Sequence, residues 1–307
     1  MQKSLLKWYE IHGRHDLPWR NTKEIYHVYL SEIMLQQTQV NRVKEEYYFQ
    51  FLEKFPTLEA LAKAELSEVL SMWSGLGYYS RARNLHAAAQ QSFNNFPTSQ
   101  KELLKLPGIG RYTASAICCF GDEQNIPVVD TNIARVLKRY FGLIEPKENT
   151  LWSYAASFIN SEKPKEHNLA LMDLGSLVCL AKNPKCSACP LEKECLGKTE
   201  PHLYTQSKKK EYVNMELFYA LWIKENKIAL QHSKGPMYKN MLILPQTDPI
   251  EEDFVGEFKH AYTKYRLKVK LYKKENMALE EIEWVDLEKI GDAPISSLTK
   301  KALYFIP

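Results

Sequence analysis

Residues 106–132 read LPGIGRYTASAICCFGDEQNIPVVDTN. The stretch divides into a turn, Pro107-Gly108-Ile109-Gly110, a helix opening at about Tyr112, a loop, and an acid, Asp130, at the start of the next apolar-periodic run. Gly108 and Gly110 can both adopt positive φ, so a turn built on them can aim several backbone N–H groups at one anion. Asp130 precedes Thr131 to Phe141, where Ile133, Val136, Leu137 and Tyr140 fall on one helical face. That places its carboxylate at an N-cap, a position favoured on structural grounds alone. Phosphate grip and acid together suggest a DNA-binding element with a carboxylate directed past it.

Working outward, the N-terminal side reads as helical throughout. Leu5, Leu6, Trp8 and Tyr9 cluster in Lys3 to His12, and Leu17-Pro18-Trp19-Arg20 follows as a turn that leaves Arg20 free for a partner. Tyr26 to Tyr48 reads as a long helical stretch with Leu30, Ile33 and Met34 on one face and Glu32, Gln36 and Gln39 on the other. Gln37 falls back on the apolar side, so either the helix ends near it or that glutamine is offered to a partner. A solvated helix face would account for Glu32 taken singly. Leu58 to Ala62, Leu66 to Trp73 and Leu85 to Phe93 continue the helical pattern, and Ser74 to Arg83 (SGLGYYSRAR) is a glycine-bearing loop with two tyrosines and two arginines. A ring wedged into a base step and arginine on phosphate would use those residue types, and Tyr78 and Tyr79 capping a core would use them as well.

The 307 residues, 45% hydrophobic and 25% charged, are ordinary for a globular protein and long enough for two domains. The net charge is +4, and the 18 basic and 16 acidic residues from Lys198 onward leave 23 and 21 before it. Neither half is a basic tail, so any nucleic-acid surface is local. The N-terminus lacks the apolar core of a signal peptide and no run reaches about 18 apolar residues, so the expectation is an intracellular, cytoplasmic protein with no membrane association.

Four of the six cysteines crowd together as Cys179-x6-Cys186-x2-Cys189-x5-Cys195, and the other two are the adjacent Cys118 and Cys119, expected in the core. In a reducing compartment this suggests a metal or cluster site, and four thiolates can hold zinc or a [4Fe-4S] cluster. After Gly197 comes a polar linker ending in Lys208-Lys209-Lys210. Leu217 to Ile223, Lys227 to Gln231, Met241 to Leu244 and Arg266 to Tyr272 then read as strands, with a short helix near Ser297 to Tyr304. The expected domains are 1–197, a linker over 198–212, and an α+β domain over 213–307.

The cysteine spacing resembles the cluster loop of the endonuclease III superfamily of helix-hairpin-helix DNA glycosylases. Together with Leu17 to Arg20, Ser31-Glu32-Ile33-Met34-Leu35-Gln36-Gln37-Thr38, Gly75-Leu76-Gly77-Tyr78-Tyr79, Leu106 to Tyr112 and Asp130-Thr131-Asn132, residues 1–197 resemble the adenine DNA glycosylase family, often written MutY. The resemblance implies a mainly α fold, two helical lobes with DNA between them, a [4Fe-4S] cluster on Cys179, Cys186, Cys189 and Cys195, and a C-terminal α+β, Nudix-like domain. It implies a monomer that acts on double-stranded DNA at A:8-oxoguanine and A:G mispairs in base excision repair. Glu32 would be the general acid that protonates the leaving adenine, with a raised pKa, and Asp130 a charged carboxylate that stabilises the oxocarbenium-like sugar. Tyr112 and Asn132 would position them, Arg20 would lie beside the extruded base, Gln37 and Tyr78 would fill or wedge the stack, and Gly108 and Gly110 would hold phosphate.

Tyr112 stands where bifunctional enzymes of the superfamily carry the lysine that forms a Schiff base, so the resemblance implies a monofunctional enzyme. A bifunctional pyrimidine-repair enzyme and a non-catalytic DNA binder are the rival readings. Tyr112 weighs against the first, and two acids facing a polyanion weigh against the second. The family's His-x-Phe-Ser-His lesion-reading pattern is here His260-Ala261-Tyr262-Thr263-Lys264, in which Thr263 keeps a hydroxyl and Lys264 replaces an imidazole. No Nudix catalytic box is present, so binding is expected of this domain.

Overall fold

The computed structural model describes residues 2–205, 211–277 and 281–306; Lys208-Lys209-Lys210 of the expected linker lies outside them. The chain forms two compact units, Met1–Leu52 with Gln91–Lys208, and Glu53–Gln90 with Lys209–Pro307. This division does not follow chain order as the expected boundary between 197 and 213 does. Residues 53–90 join the C-terminal segment because their side chains bond to it: Ser74 Oγ donates to the Ile295 carbonyl (3.1 Å) and Arg83 Nη1 to that of Lys239 (2.8 Å).

The first unit is helical, with α1 (Gln2–His12), α2 (Ile25–Leu35), α3 (Arg111–Ala116), α4 (Thr131–Phe141), α5 (Glu148–Phe158) and α6 (Pro164–Leu177) as its main elements. In α4 the periodic residues Ile133, Val136, Leu137 and Tyr140 are buried, and each aliphatic side chain so buried contributes about 2 kcal/mol relative to exposure. The helix begins at the Asp130 cap and ends where Gly142 turns left-handed at φ 66°, a conformation that costs glycine nothing. Leu5, Val28, Phe120 and Leu174 from α1, α2, the turn after α3, and α6 complete one apolar core around it.

The expected helix from Tyr26 to Tyr48 is interrupted. α2 stops at Leu35, Gln37 takes φ 57°, and helical structure resumes at Val40–Arg42 and, after a π-helical turn at Val43–Tyr47, at Tyr48–Lys54. Gln36-Gln37-Thr38-Gln39 offers no apolar residue to the core, and the Thr38 N–H closes a turn on the Leu35 carbonyl (3.3 Å).

The second unit combines helices Leu58–Lys63 and Leu66–Met72 with a six-stranded sheet of β1 (Val213–Lys224), β2 (Lys227–His232), β3 (Leu242–Ile243), β4 (Phe254–Tyr262), β5 (Tyr265–Lys274) and β6 (Glu283–Asp286). The order is β3-β2-β1-β5-β4, with β6 on β2; β1 and β5 run parallel, with Leu217 opposite Val269. Alternation separates buried Leu217, Tyr219, Leu267, Val269 and Leu271 from outward Glu216, Lys268 and Lys270, of which Glu216 and Lys270 pair at 2.9 Å. Strand β4 was not among the expected strands. Its period-two signal, Phe254, Phe258, His260 and Tyr262, is diluted by Gly256 and three charged residues nearby.

One residue of α6 is poorly served by its surroundings. His167 is buried, packs edge-on to Phe158 (5.3 Å between centroids), and neither ring nitrogen has a partner among the described residues. Burial pushes its pKa down to about 4 from 6.5. The unfolded chain therefore binds a proton below pH 6.5 that the folded chain refuses until about pH 4, and stability falls as pH falls through that window. Denaturant titrations of the wild type and His167→Leu should diverge between pH 7 and 4, the variant gaining by up to about 3 kcal/mol at the acid end. Parallel pH profiles would show that the imidazole is solvated.

Candidate active site

Glu32 opens the last turn of α2. Its own helix buries Leu30, Ile33 and Met34, and Glu32 is buried with them at 6% exposure rather than lying on a solvated face. The Tyr112 hydroxyl, delivered by the first turn of α3, donates to Glu32 Oε2 at 2.6 Å. Burial pushes the Glu32 carboxyl up to about 7; the Tyr112 hydrogen bond opposes the shift, the Asp130 charge adds to it, and Arg20 opposes it. Tyr112 is itself pushed far upward by burial and by Glu32, so its phenol stays protonated.

Asp130 is both the cap and part of this cluster. Oδ1 accepts from the Ile133 N–H (2.6 Å) and Oδ2 from Asn132 Nδ2 (3.0 Å). Burial raises its pKa, while these hydrogen bonds and Arg135 favour the carboxylate. Asn132 is fixed in turn by Arg135, whose Nη2 donates to Asn132 Oδ1 (2.9 Å) and to the Gly175 carbonyl (2.6 Å) while Nε donates to the Cys179 carbonyl (2.7 Å). Gly175 is required here, because a Cβ at that position would stand 2.6 Å from the Asn132 Cβ. The approach to Asp130 is held by Asn168, whose Oδ1 accepts from the Val128 N–H (3.0 Å) and whose Nδ2 donates to the Ile126 carbonyl (3.2 Å).

Arg20, expected to be free, is committed. It forms a bidentate pair with Asp173 at 2.7 and 2.8 Å, and Arg14 Nε adds a third bond to the same carboxylate at 2.7 Å. Burial alone would raise Asp173; its hydrogen bonds to Arg20 and Arg14 and their charges hold it below the usual range. Trp19, Arg20, Glu32, Tyr112, Asp130 and Asn132 line one cavity of about 310 Å³. Glu32, Tyr112 and Asp130 also face a second cavity of about 620 Å³ that reaches Gly110 and Arg111. The acid pair therefore lines both cavities, the first alongside Trp19 and the Arg14 and Arg20 guanidinium groups and the second alongside Gly110 of the turn.

In that turn only Gly108 has positive φ (75°); Gly110 is extended at φ −91° and caps α3, so its freedom is not used for a left-handed bend. A Cβ on Gly110 would meet no atom within 4 Å, so its backbone faces open space. Gln37 takes φ 57°, and in the second unit Tyr78 takes φ 49° and Thr263 φ 51°. Three of the residues expected to touch DNA are thus non-glycine residues in the left-handed region, a conformation that persists only where the surroundings enforce it and that concentrates at functional sites. Thr263 sits at the tip of the β4–β5 hairpin, between Tyr262 and Tyr265.

The four clustered cysteines are free thiols, each partly buried, on a loop of two 3-10 turns at Cys186–Ala188 and Glu192–Glu194. Arg139 organises this loop, donating to the carbonyls of Leu180 (2.7 Å), Ala181 (3.1 Å) and Pro201 (2.9 Å) and to Cys179 Sγ (3.3 Å). Burial, then the charges of Cys179, Cys195 and Cys186, push the Cys189 thiol up to about 11 against a hydrogen bond from the Leu191 backbone. Among the described residues no three His, Cys, Asp or Glu side chains form a site for a single metal ion. The donor set is sulfur alone, which suits a thiolate-ligated group. Cys118 and Cys119 are core residues, bonded to the Thr98 carbonyl (3.2 Å) and to Asn168 Nδ2 (3.2 Å).

Residues 30–157 match the family model of the HhH-GPD superfamily of base excision DNA repair proteins. The adenine DNA glycosylase of Buchnera aphidicola subsp. Schizaphis graminum is 36% identical over 257 residues, covering 80% of this chain and 74% of the relative. That of Buchnera aphidicola subsp. Baizongia pistaciae is 40% identical over 253 residues, covering 79% and 68%. The chain belongs to the adenine DNA glycosylase family. The human adenine DNA glycosylase is 42% identical over 210 residues, covering 62% of this chain and 38% of the human one. Among solved structures, a thermostable thymine-DNA glycosylase aligns with a TM-score of 0.60 at 31% identity, covering 64% of this chain and 95% of that one. An endonuclease III–DNA complex aligns with a TM-score of 0.56 at 22% identity, covering 64% and 94%, which supports the helical fold. No helix among the described residues is long and apolar enough to cross a membrane.

Sequence reading missed Asp173, Arg135 and Asn168 as partners of the site. For Asp173 the signal was available: a single acid inside the apolar run Leu169-Ala170-Leu171-Met172-Asp173-Leu174 demands a buried cation. The shifted Glu32 carboxyl has a stability consequence as well. Its folded pKa of about 7 lies above the unfolded value of 4.5, so the folded state keeps a proton that the unfolded state releases, and stability falls as pH rises from 4.5 through 7. Glu32→Gln should match the wild type in stability near pH 4 and exceed it by about 3 kcal/mol at pH 8, read by denaturant titration. A difference independent of pH would show that Glu32 titrates normally.

Proposed function

We propose that this member of the adenine DNA glycosylase family hydrolyses the N-glycosidic bond of adenine opposite 8-oxoguanine and opposite guanine, as a monofunctional enzyme acting on a base flipped out of the duplex. The observation that carries the reading is the buried cluster of Glu32, Tyr112 and Asp130, in which burial pushes the Glu32 carboxyl up to about 7. Glu32 holds a proton near neutrality and gives it to the departing adenine. Asp130, supplied with hydrogen bonds that favour the anion, stabilises positive charge on the sugar as the C–N bond opens, and water then completes hydrolysis. Tyr112 and Asn132 orient the two carboxyls.

The cavity lined by Trp19 and Arg20 takes the base; Arg20, held by Asp173, serves as a fixed cationic wall. The cavity reaching Gly110 and Arg111 takes the sugar-phosphate backbone, with Gly108 and Gly110 offering N–H groups to phosphate. Gln37 and Tyr78 fill the stack after the base has left it, and Thr263 reads the lesion from a C-terminal domain of Nudix-like ancestry. The sulfur-only donor set, its spacing and the family all support a [4Fe-4S] cluster on Cys179, Cys186, Cys189 and Cys195. When bound, the cluster supplies a rigid loop and takes no part in bond cleavage.

Single-turnover assays on a duplex with one A:8-oxoguanine pair should give alkali-labile product at the adenine, with no strand break before alkali. Glu32→Gln should reduce the rate at least about 1,000-fold, in line with loss of general acid catalysis in a buried site, while duplex affinity changes little. Efficient borohydride trapping of an enzyme–DNA adduct would contradict the monofunctional mechanism, and normal cutting by Glu32→Gln would contradict the assignment of the acid. For the cluster, purified protein should absorb visible light and carry about four irons per chain. Stoichiometric zinc with no colour would reject it.

A further inference from the structure

Tyr238 stands out in the second unit. It is buried at 3% exposure yet adopts φ 57°, which is strained for a bulky residue, within a turn whose Asn240 is also left-handed at φ 63°. Its hydroxyl shares a hydrogen bond of 2.6 Å with His260 Nε2, and its ring packs on Tyr262 at 4.6 Å and Tyr79 at 6.3 Å between centroids. Tyr79 is the chain neighbour of Tyr78, and Tyr262 that of Thr263. The same turn is anchored by Arg83 Nη1 on the Lys239 carbonyl (2.8 Å) and by the Met241 N–H on the Tyr238 carbonyl (2.8 Å). Two strained residues, Tyr78 and Thr263, therefore each lie one peptide bond from a ring that rests on Tyr238.

We infer that Tyr238 is a positioning residue that couples the loop of residues 74–79 to the β4–β5 hairpin, so that the Tyr78 ring and the Thr263 hydroxyl address DNA at a fixed separation. The inference rests on the reading that Thr263 contacts the lesion. Packing alone does not ask for the hydroxyl, since phenylalanine would fill the same volume, and a satisfied buried polar pair rigidifies the arrangement it joins. Burial, with Lys301 adding to it, pushes His260 down to about 4, so the link keeps one protonation state across assay pH.

The test uses the full chain with Tyr238→Phe, and with His260→Phe as a second way to break the same bond. In the DNA-free protein, hydrogen exchange should rise at least threefold in both residues 75–80 and residues 260–265 for either variant. A response confined to one segment, or to neither, overturns the coupling. In single-turnover excision, the ratio of A:8-oxoguanine to A:G rates should fall at least fivefold in each variant with the A:G rate within twofold of wild type, and the double variant should be no worse than either single. An unchanged ratio overturns the positioning role. If Thr263→Ala collapses the ratio while Tyr238→Phe leaves it intact, the lesion reading stands and this inference fails. If the wild type cuts both duplexes alike, the lesion reading fails and the exchange measurement alone decides the coupling.

Discussion

A carboxyl group kept out of water is the constraint on which the catalytic unit depends. Glu32 lies on the helix face that sequence periodicity assigns to solvent, but it is enclosed, and the phenol donated by Tyr112 is its closest hydrogen-bond partner. Enclosure shifts the balance toward the protonated acid at neutral pH, at a cost to folding of about 3 kcal/mol above pH 7. The rest of the core offsets that cost; four buried apolar side chains of α4 alone outweigh it at about 2 kcal/mol each. The same helix carries Asp130 at its cap, so the burial that anchors α4 also brings the second carboxyl to the first.

Stepwise hydrogen bonding extends from this pair into the surrounding fold. Asn132 connects Asp130 to Arg135, Arg135 reaches the carbonyl of Cys179, and Asn168 replaces a neighbouring strand for the loop that leads to Asp130. On the opposite wall Asp173 holds Arg20 and Arg14. These contacts make the cavity a rigid arrangement of charge in which neither acid can turn toward water without leaving buried partners unpaired. Rigidity of this kind is what the electrostatic role proposed for Asp130 requires.

Local features of the sequence were legible where one physical rule dominates. The Asp130 cap and the periodic face of α4 follow from spacing alone, and β1 and β5 from runs of apolar, β-branched and aromatic residues. Features set by distant partners were not. Gly110 needs no positive φ because Gly108 makes the bend, Arg20 is occupied by an acid more than 150 positions away, and residues 53–90 pack with the C-terminal sheet across a long intervening segment. The break after Leu35 lay between these cases: the displaced periodicity at Gln37 marked it, and the left-handed φ of that residue explains it.

Burial, with the Asp130 charge adding to it, raises the Glu32 carboxyl to about 7, so that it titrates in the neutral range. Observation of the Glu32 carboxyl by carbon-13 NMR in protein labelled at glutamate, assigned by comparison with Glu32→Gln, tests it most directly. The titration midpoint should lie at about 7 and move to lower pH in Asp130→Asn, which removes a charge that raises it. A midpoint near the ordinary 4.5 in the folded wild type would contradict the account.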